Sequence, residues 1–196
     1  MSGESWKADV FDRLYADNPD PWGFESSPYE QAKYADTLAQ LDGRRFGEAL
    51  ELGCSIGVMS QALAACCDRL LSLDLAEAAL ARARQRCAGL DRVSFRRATL
   101  PQDWPDGCFD LVLVSEMLYF LAPADIVRLA ERCIDAAEPD CTILLVNWTG
   151  PTDTPTTGDE AAELFCSCFP EAFTRDATLH RDRYRLDRLH RSGSRS

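Results

Sequence analysis

Two patterns alternate along the middle of the chain. Short apolar runs of strand length stand at Ala49–Glu51, Arg69–Asp74, Val93–Arg97, Phe109–Ser115 and Cys141–Trp148. Between them lie helical patterns over Val58 to about Cys66, Ala76 to about Cys87, and Pro123 to about Ala137. FDLVLVS at 109–115 is apolar at almost every position, as in a strand buried on both faces. This alternation predicts a mostly parallel, doubly wound α/β sheet.

The two ends read differently. Residues 149–158 form a loop, and Gly158 opens a helix to about Cys168. Phe173–Leu179 and Tyr184–His190 follow as a hairpin, so the last strand is expected to be antiparallel to its neighbours. Residues 5–28 read as irregular and aromatic, with Trp6, Phe11, Tyr15, Trp22 and Phe24 among many turn formers. Ser27 is expected to cap a helix from Pro28 to about Leu41, ended by Asp42-Gly43. One domain is expected from 196 residues: a lid and helix over 1–45, a core over 46–190, and a disordered tail over 191–196.

The chemistry concentrates where two of these strands end. Glu51 closes the first, Gly53 and Gly57 make a tight turn, and a helical pattern starts at Val58. Asp74 closes the second. This pattern builds a nucleotide-sized cradle at the carboxyl edge of the sheet, with Asp74 placed to accept both ribose hydroxyls. A dinucleotide needs G-x-G-x-x-G for its pyrophosphate, but Ser55 stands where the second glycine would be. Glu51 would also repel a diphosphate. S-adenosylmethionine has no phosphate, and its ammonium and sulfonium suit nearby acids. The run E-x-G-x-x-x-G followed by a strand-ending acid resembles motifs I and II of class I methyltransferases, whose usual form has a glycine at the position of Ser55. The plain alternative is a strand–turn–helix with no ligand.

Composition narrows the setting. The net charge of −11 disfavours nucleic acid as a partner. The first 15 residues contain no apolar core of a secretory signal, and no run is long enough to span a membrane. The nine cysteines then suggest reduced thiols in a cytoplasm, and their spacings, with only two histidines, give no metal site. Most read as small core residues, while Cys54 can line the cradle through its backbone.

Other candidates follow from position. Ser115 and Glu116 end the strand at 109–115, the edge that would face the reactive methyl, and can hold the methionine part or the acceptor. Tyr119 can line the acceptor pocket. Leu75 follows Asp74, and Thr99 and Leu100 follow the third strand, where an acid commonly meets an adenine amino group. Threonine accepts there more weakly. Trp22 and Tyr29 are read either as a lid that excludes water or as core, and Tyr34 less readily as lid.

FDRLYADNPDPWGFESSPYEQAKY, ALELGCSIGVMSQALA, DWPDGCFDLVLVSEMLYFL and the late YRLDRL together resemble the nodulation protein S family, over roughly residues 10–190. The resemblance implies a Rossmann-like class I methyltransferase fold. It also implies that Glu51, Gly53, Gly57 and Asp74 bind S-adenosylmethionine, with Trp22 and Tyr29 near the ligand. Founding members methylate the free amine of a chitooligosaccharide, so a small, sugar-like amine is the implied acceptor. The loop at 147–157 should help define it. O-methylation of a small natural product, a nucleotide-dependent oxidoreductase and a catalytically silent cofactor binder stay open as alternatives. Chemistry would rest on alignment, with Glu116 orienting the amine or taking its proton and Tyr29 or Tyr119 positioning it.

Overall fold

The apolar runs become strands that extend past their apolar centres. The computed structural model describes residues 3–192, and the chain divides into two units, Lys7–Thr99 and Leu100–Ser196 with Met1–Trp6.

The Lys7–Thr99 unit contains helices α1 (Ala8–Asp17) and α2 (Pro28–Ala39). Strand β1 (Phe46–Leu52), α3 (Val58–Leu63), β2 (Cys67–Asp74), α4 (Glu77–Arg86) and β3 (Val93–Arg97) follow. Here β2 is central, parallel to β1 through pairs such as Leu50 with Leu71, and to β3 through Leu71 with Ser94. Leu50, Leu52, Leu70 and Leu73 are buried, which is why these strands carry leucine on both faces. Each parallel connection is made by a helix, as such crossovers require.

Two expectations for the N-terminal stretch are corrected. Residues 8–17 are helical, not irregular. Phe11 and Tyr15 stand four apart on one helical face and pack with Ile56, Ala76 and Ala79, while Asp9 and Arg13 pair on the exposed side. Burial of that face outweighs the turn-forming character of the sequence that follows it. Ser27 occupies the cap position of α2, but its side chain makes no capping bond; Pro28 starts the helix. Asp42 and Gly43 then adopt left-handed backbone at φ 53° and 68°, ending it as expected.

The second unit holds β4 (Phe109–Ser115), a single 3-10 turn at Leu118–Phe120, and α5 (Pro123–Ala136). Then come β5 (Ala137–Trp148), α6 (Gly158–Ser167), β6 (Phe173–His180) and β7 (Tyr184–Arg191). The strand order is β4-β5-β7-β6. β5 runs parallel to β4 and antiparallel to β7, and β7 pairs antiparallel with β6. β5 begins earlier than its apolar run because the ladder shifts between Phe109 and Leu111, which takes up the polar residues before Cys141. Phe165 of α6 is fully buried and starts a ring contact chain, 5.2 Å to Phe169 and a further 5.0 Å to Phe173. Arg191 belongs to β7, which corrects the expectation of a disordered tail from position 191; residues 193–196 lie outside the described residues.

Gly57 sets the spacing of α3 and α4. Its φ is +79°, and a Cβ there would sit 2.9 Å from both the Cα and the Cβ of Ala83. Strain and overlap with backbone act together, so Gly57→Ala should cost about 2–3 kcal/mol. The melting temperature should fall by roughly 5–10 °C. An unchanged melting curve would contradict this helix contact.

Candidate functional site

The glycine turn is stitched to the second strand. The N–H groups of Gly53 and Cys54 both donate to the Leu73 carbonyl, at 2.9 and 3.0 Å. Gly53, Ser55 and Gly57 all have left-handed backbone, at φ 82°, 49° and 79°. A serine in that conformation costs about 1–2 kcal/mol, and two bonds hold it there. Its N–H donates to Asp74 Oδ2 at 2.7 Å, and its hydroxyl bonds the Tyr15 hydroxyl. This explains how the turn closes without the glycine usual at that position.

Asp74 is held from both sides. Its Oδ1 accepts the Ala76 N–H at 2.9 Å. Burial raises its carboxyl above the ordinary range, and the Ala76, Ser55 and Leu75 backbone groups pull against that. Each oxygen keeps a lone pair for a further donor. The neighbouring Cys54 thiol is raised well above its usual value, first by burial and then by the Asp74 charge. It is a packed thiol, and only its backbone belongs to the turn.

Glu51 is the deepest polar group of the turn, with no exposed surface. The hydroxyls of Ser60 and Ser72 both donate to its Oε2, at 2.5 and 2.6 Å. Its Oε1 is buried with no hydrogen-bond partner. Desolvation raises its carboxyl to about 7, against the two serine hydroxyls and with a further push from Asp74. Such a carboxylate is completed by a cationic donor, such as an ammonium group.

Trp22 is 41% exposed and meets Tyr15 edge-on at 5.7 Å. Its loop is pinned, because Asp20 accepts the Phe24 and Glu25 N–H groups while Glu25 bridges Arg82 and Arg86. Tyr29, on the first turn of α2, and Tyr34 are half-buried, with the Lys33 ammonium 5.3 Å over the Tyr29 ring. Leu75 is half-buried after Asp74, and Thr99 is exposed after β3. Tyr15 was not singled out by the sequence reading. Its spacing from Phe11 is the signal that finds it, once the segment is read as a helix.

Ser115, Glu116, Tyr119 and Leu100 belong to the second unit. Ser115 is the last residue of β4. Glu116 follows in left-handed backbone, and its N–H donates to the Val146 carbonyl at 2.8 Å. Its Oε2 accepts the Tyr119 hydroxyl at 2.7 Å and the Trp148 N–H at 2.9 Å. The 3-10 turn folds Tyr119 back onto Glu116, so these two expected residues are hydrogen-bonded neighbours. Tyr29 lies in the other unit.

Residues 7–146 match the family model for nodulation protein S (NodS). A nodulation protein S from Sinorhizobium fredii is 33% identical over 112 residues, 57% of this chain and 52% of that protein. One from Bradyrhizobium diazoefficiens is 33% identical over 129 residues, 64% of this chain and 61% of that protein. The chain thus spans about half of the first of these relatives and somewhat more of the second. Among solved structures, the N-methyltransferase NodS from Bradyrhizobium japonicum, in complex with S-adenosyl-L-homocysteine, superposes with a TM-score of 0.82. It is 21% identical, covering 94% of this chain and 97% of that one. A putative methyltransferase from Pseudomonas syringae is 32% identical with a TM-score of 0.73, covering 83% of this chain and 99% of that one. The fold is therefore the Rossmann-like class I methyltransferase fold that the family resemblance implies.

The folded Glu51 carboxyl titrates at about 7 against an ordinary 4.5, so between these values the folded state binds more protons than the unfolded one. Through this group, stability of the ligand-free protein falls as pH rises across that window. Glu51→Gln should flatten the decline between pH 5 and 7.5 in urea denaturation; equal slopes in the two proteins would refute the assignment.

Proposed function

The chain belongs to the nodulation protein S family, and we propose that it is an S-adenosylmethionine-dependent methyltransferase acting on the amine of a small, sugar-like molecule. The observation that carries this reading is the buried, half-satisfied carboxylate of Glu51 beside the glycine turn. Glu51 would hold the cofactor's ammonium through Oε1. Asp74 has acceptor capacity left on both oxygens for the ribose hydroxyls. Gly53, Cys54, Ser55 and Gly57 offer backbone close to the ligand. Leu75, Thr99 and Leu100 are assigned to the adenine side, Trp22 and Tyr29 to its cover, and Ser115 to the methionine part. The same set disfavours a pyridine dinucleotide, because a diphosphate would meet Glu51.

When bound, this cofactor supplies a methyl group already on a good leaving group. The chain therefore has mainly to align an acceptor, and positioning alone can contribute about 7–11 kcal/mol. An amine must be neutral to react. Glu116 is suited to orient it or take its proton, since the Tyr119 hydroxyl and the Trp148 N–H fix the carboxylate. Tyr119 and Tyr29 are assigned to positioning. The amine acceptor is supported by the relative named as an N-methyltransferase. No helix among the described residues is long and apolar enough to cross a membrane, and we place the reaction in the cytoplasm, on a single domain formed by the whole chain.

Calorimetry should show binding of S-adenosylmethionine and S-adenosylhomocysteine but not of NAD, and amino sugars incubated with the enzyme and S-adenosylmethionine should gain the mass of one methylene, a methyl group replacing one hydrogen. Retention of NAD alone would sink the reading. Glu116→Gln should lower kcat by roughly a hundredfold, with cofactor affinity within about twofold of the parent. A collapse of cofactor affinity would instead make Glu116 a cofactor ligand.

A further inference from the structure

A second buried polar group lacks a partner, in the Leu100–Ser196 unit. Asn147 stands one residue before the end of β5 and has no exposed surface. Neither its Oδ1 nor its Nδ2 has a hydrogen-bond partner. The Thr156 hydroxyl, in the loop that follows the same strand, is also buried and unpartnered. Folded proteins leave few such groups, and each calls for an explanation.

The neighbours do not supply one. Opposite Asn147 in the ladder is Arg185, whose guanidinium is engaged by Asp187, Asp159 and Glu163. On the other side, Gly158, the first residue of α6, closes on Asn147. The Trp148 indole N–H reaches the Pro151 carbonyl at 3.4 Å, and a Cβ on Gly158 would lie 3.4 Å from the Asn147 Cβ. The amide is closed over at Gly158, which has no side chain to offer it a partner. It also adjoins the residue whose N–H holds Glu116.

Resting on the methyltransferase reading above, we infer that Asn147 and Thr156 form the subsite that recognises the acceptor through a neutral group able both to donate and to accept, a hydroxyl or an amide. A primary amide offers two donors and one accepting oxygen, and a threonine hydroxyl offers one of each kind. Neither can neutralise a charge, so the subsite selects neutral polar groups over carboxylate or ammonium. The loop from Thr149 to Thr157 shifts to admit that group. Asn147 is a specificity residue here, and Glu116 keeps the role at the amine.

The test uses two primary amines on six-membered rings, glucosamine with hydroxyls and cyclohexylamine without. Asn147→Leu should lower kcat/KM for glucosamine roughly ten- to a hundredfold, mostly through KM, and leave cyclohexylamine within about twofold. Thr156→Val should act in the same direction more weakly. Cofactor affinity should not change in either variant. Without ligands, Asn147→Leu should melt about 2–4 °C higher, because an apolar isostere removes an unpaired amide. A lower melting temperature would show that the amide has a structural partner, such as a buried water, and would overturn the inference. So would an equal loss with both amines, no loss with glucosamine, or wild-type transfer to neither. Wild-type protein that holds no cofactor would sink the methyltransferase reading as well; wild type that holds it but shows one of the other outcomes sinks this inference alone.

Discussion

Holding two carboxyl groups at the ends of neighbouring strands, Glu51 fully buried and Asp74 half-buried, is the constraint around which the Lys7–Thr99 unit is organised. Glu51 has lost its hydration and gained two serine hydroxyls, both on one oxygen. Asp74 has gained two backbone N–H groups, one from the glycine turn and one from the start of the next helix. Burying a charge is costly unless hydrogen bonds replace the lost water. The left-handed turn exists to aim the Ser55 N–H at Asp74, and Tyr15 locks that serine from α1. The same helix packs against Ile56, Ala76 and Ala79, so the support for the turn and the packing of the unit share side chains.

The second unit solves a related problem differently. Glu116 sits at a strand end in strained backbone, and the 3-10 turn and the β5 backbone each supply a donor to one oxygen. The buried Arg185 is surrounded by Asp187, Asp159 and Glu163, which hold it fully charged. That network ties α6 to β7.

Features written locally in the sequence were legible. Glu51, Gly53, Gly57 and Asp74 are set by a strand end, a turn and a second strand end, all within a short stretch. The parallel order and the closing hairpin followed from run lengths and spacing. What depends on distant contacts was not legible. Helix α1 was hidden because its aromatic face resembles the irregular aromatic segment after it; only the pocket formed by Ile56, Ala76 and Ala79 reveals the period. Tyr15 joined the site through a bond to Ser55, 40 residues away. The unpaired amide of Asn147 reads in the sequence as an ordinary polar residue at a strand end. Its isolation comes from an arginine committed elsewhere and a glycine that closes on it without a side chain.

Helix α6 begins with a reciprocal cap in which the Thr157 hydroxyl accepts the Glu160 N–H and the Glu160 carboxylate accepts the Thr157 N–H. Gly158 is pressed so closely against the Trp148 carbonyl that no side chain fits there. The connection is therefore anchored at both of its feet, by the Trp148 carbonyl against Gly158 and by the cap between Thr157 and Glu160. A change of length between these anchors is taken up within the connection, so the strand end and the helix start keep their places.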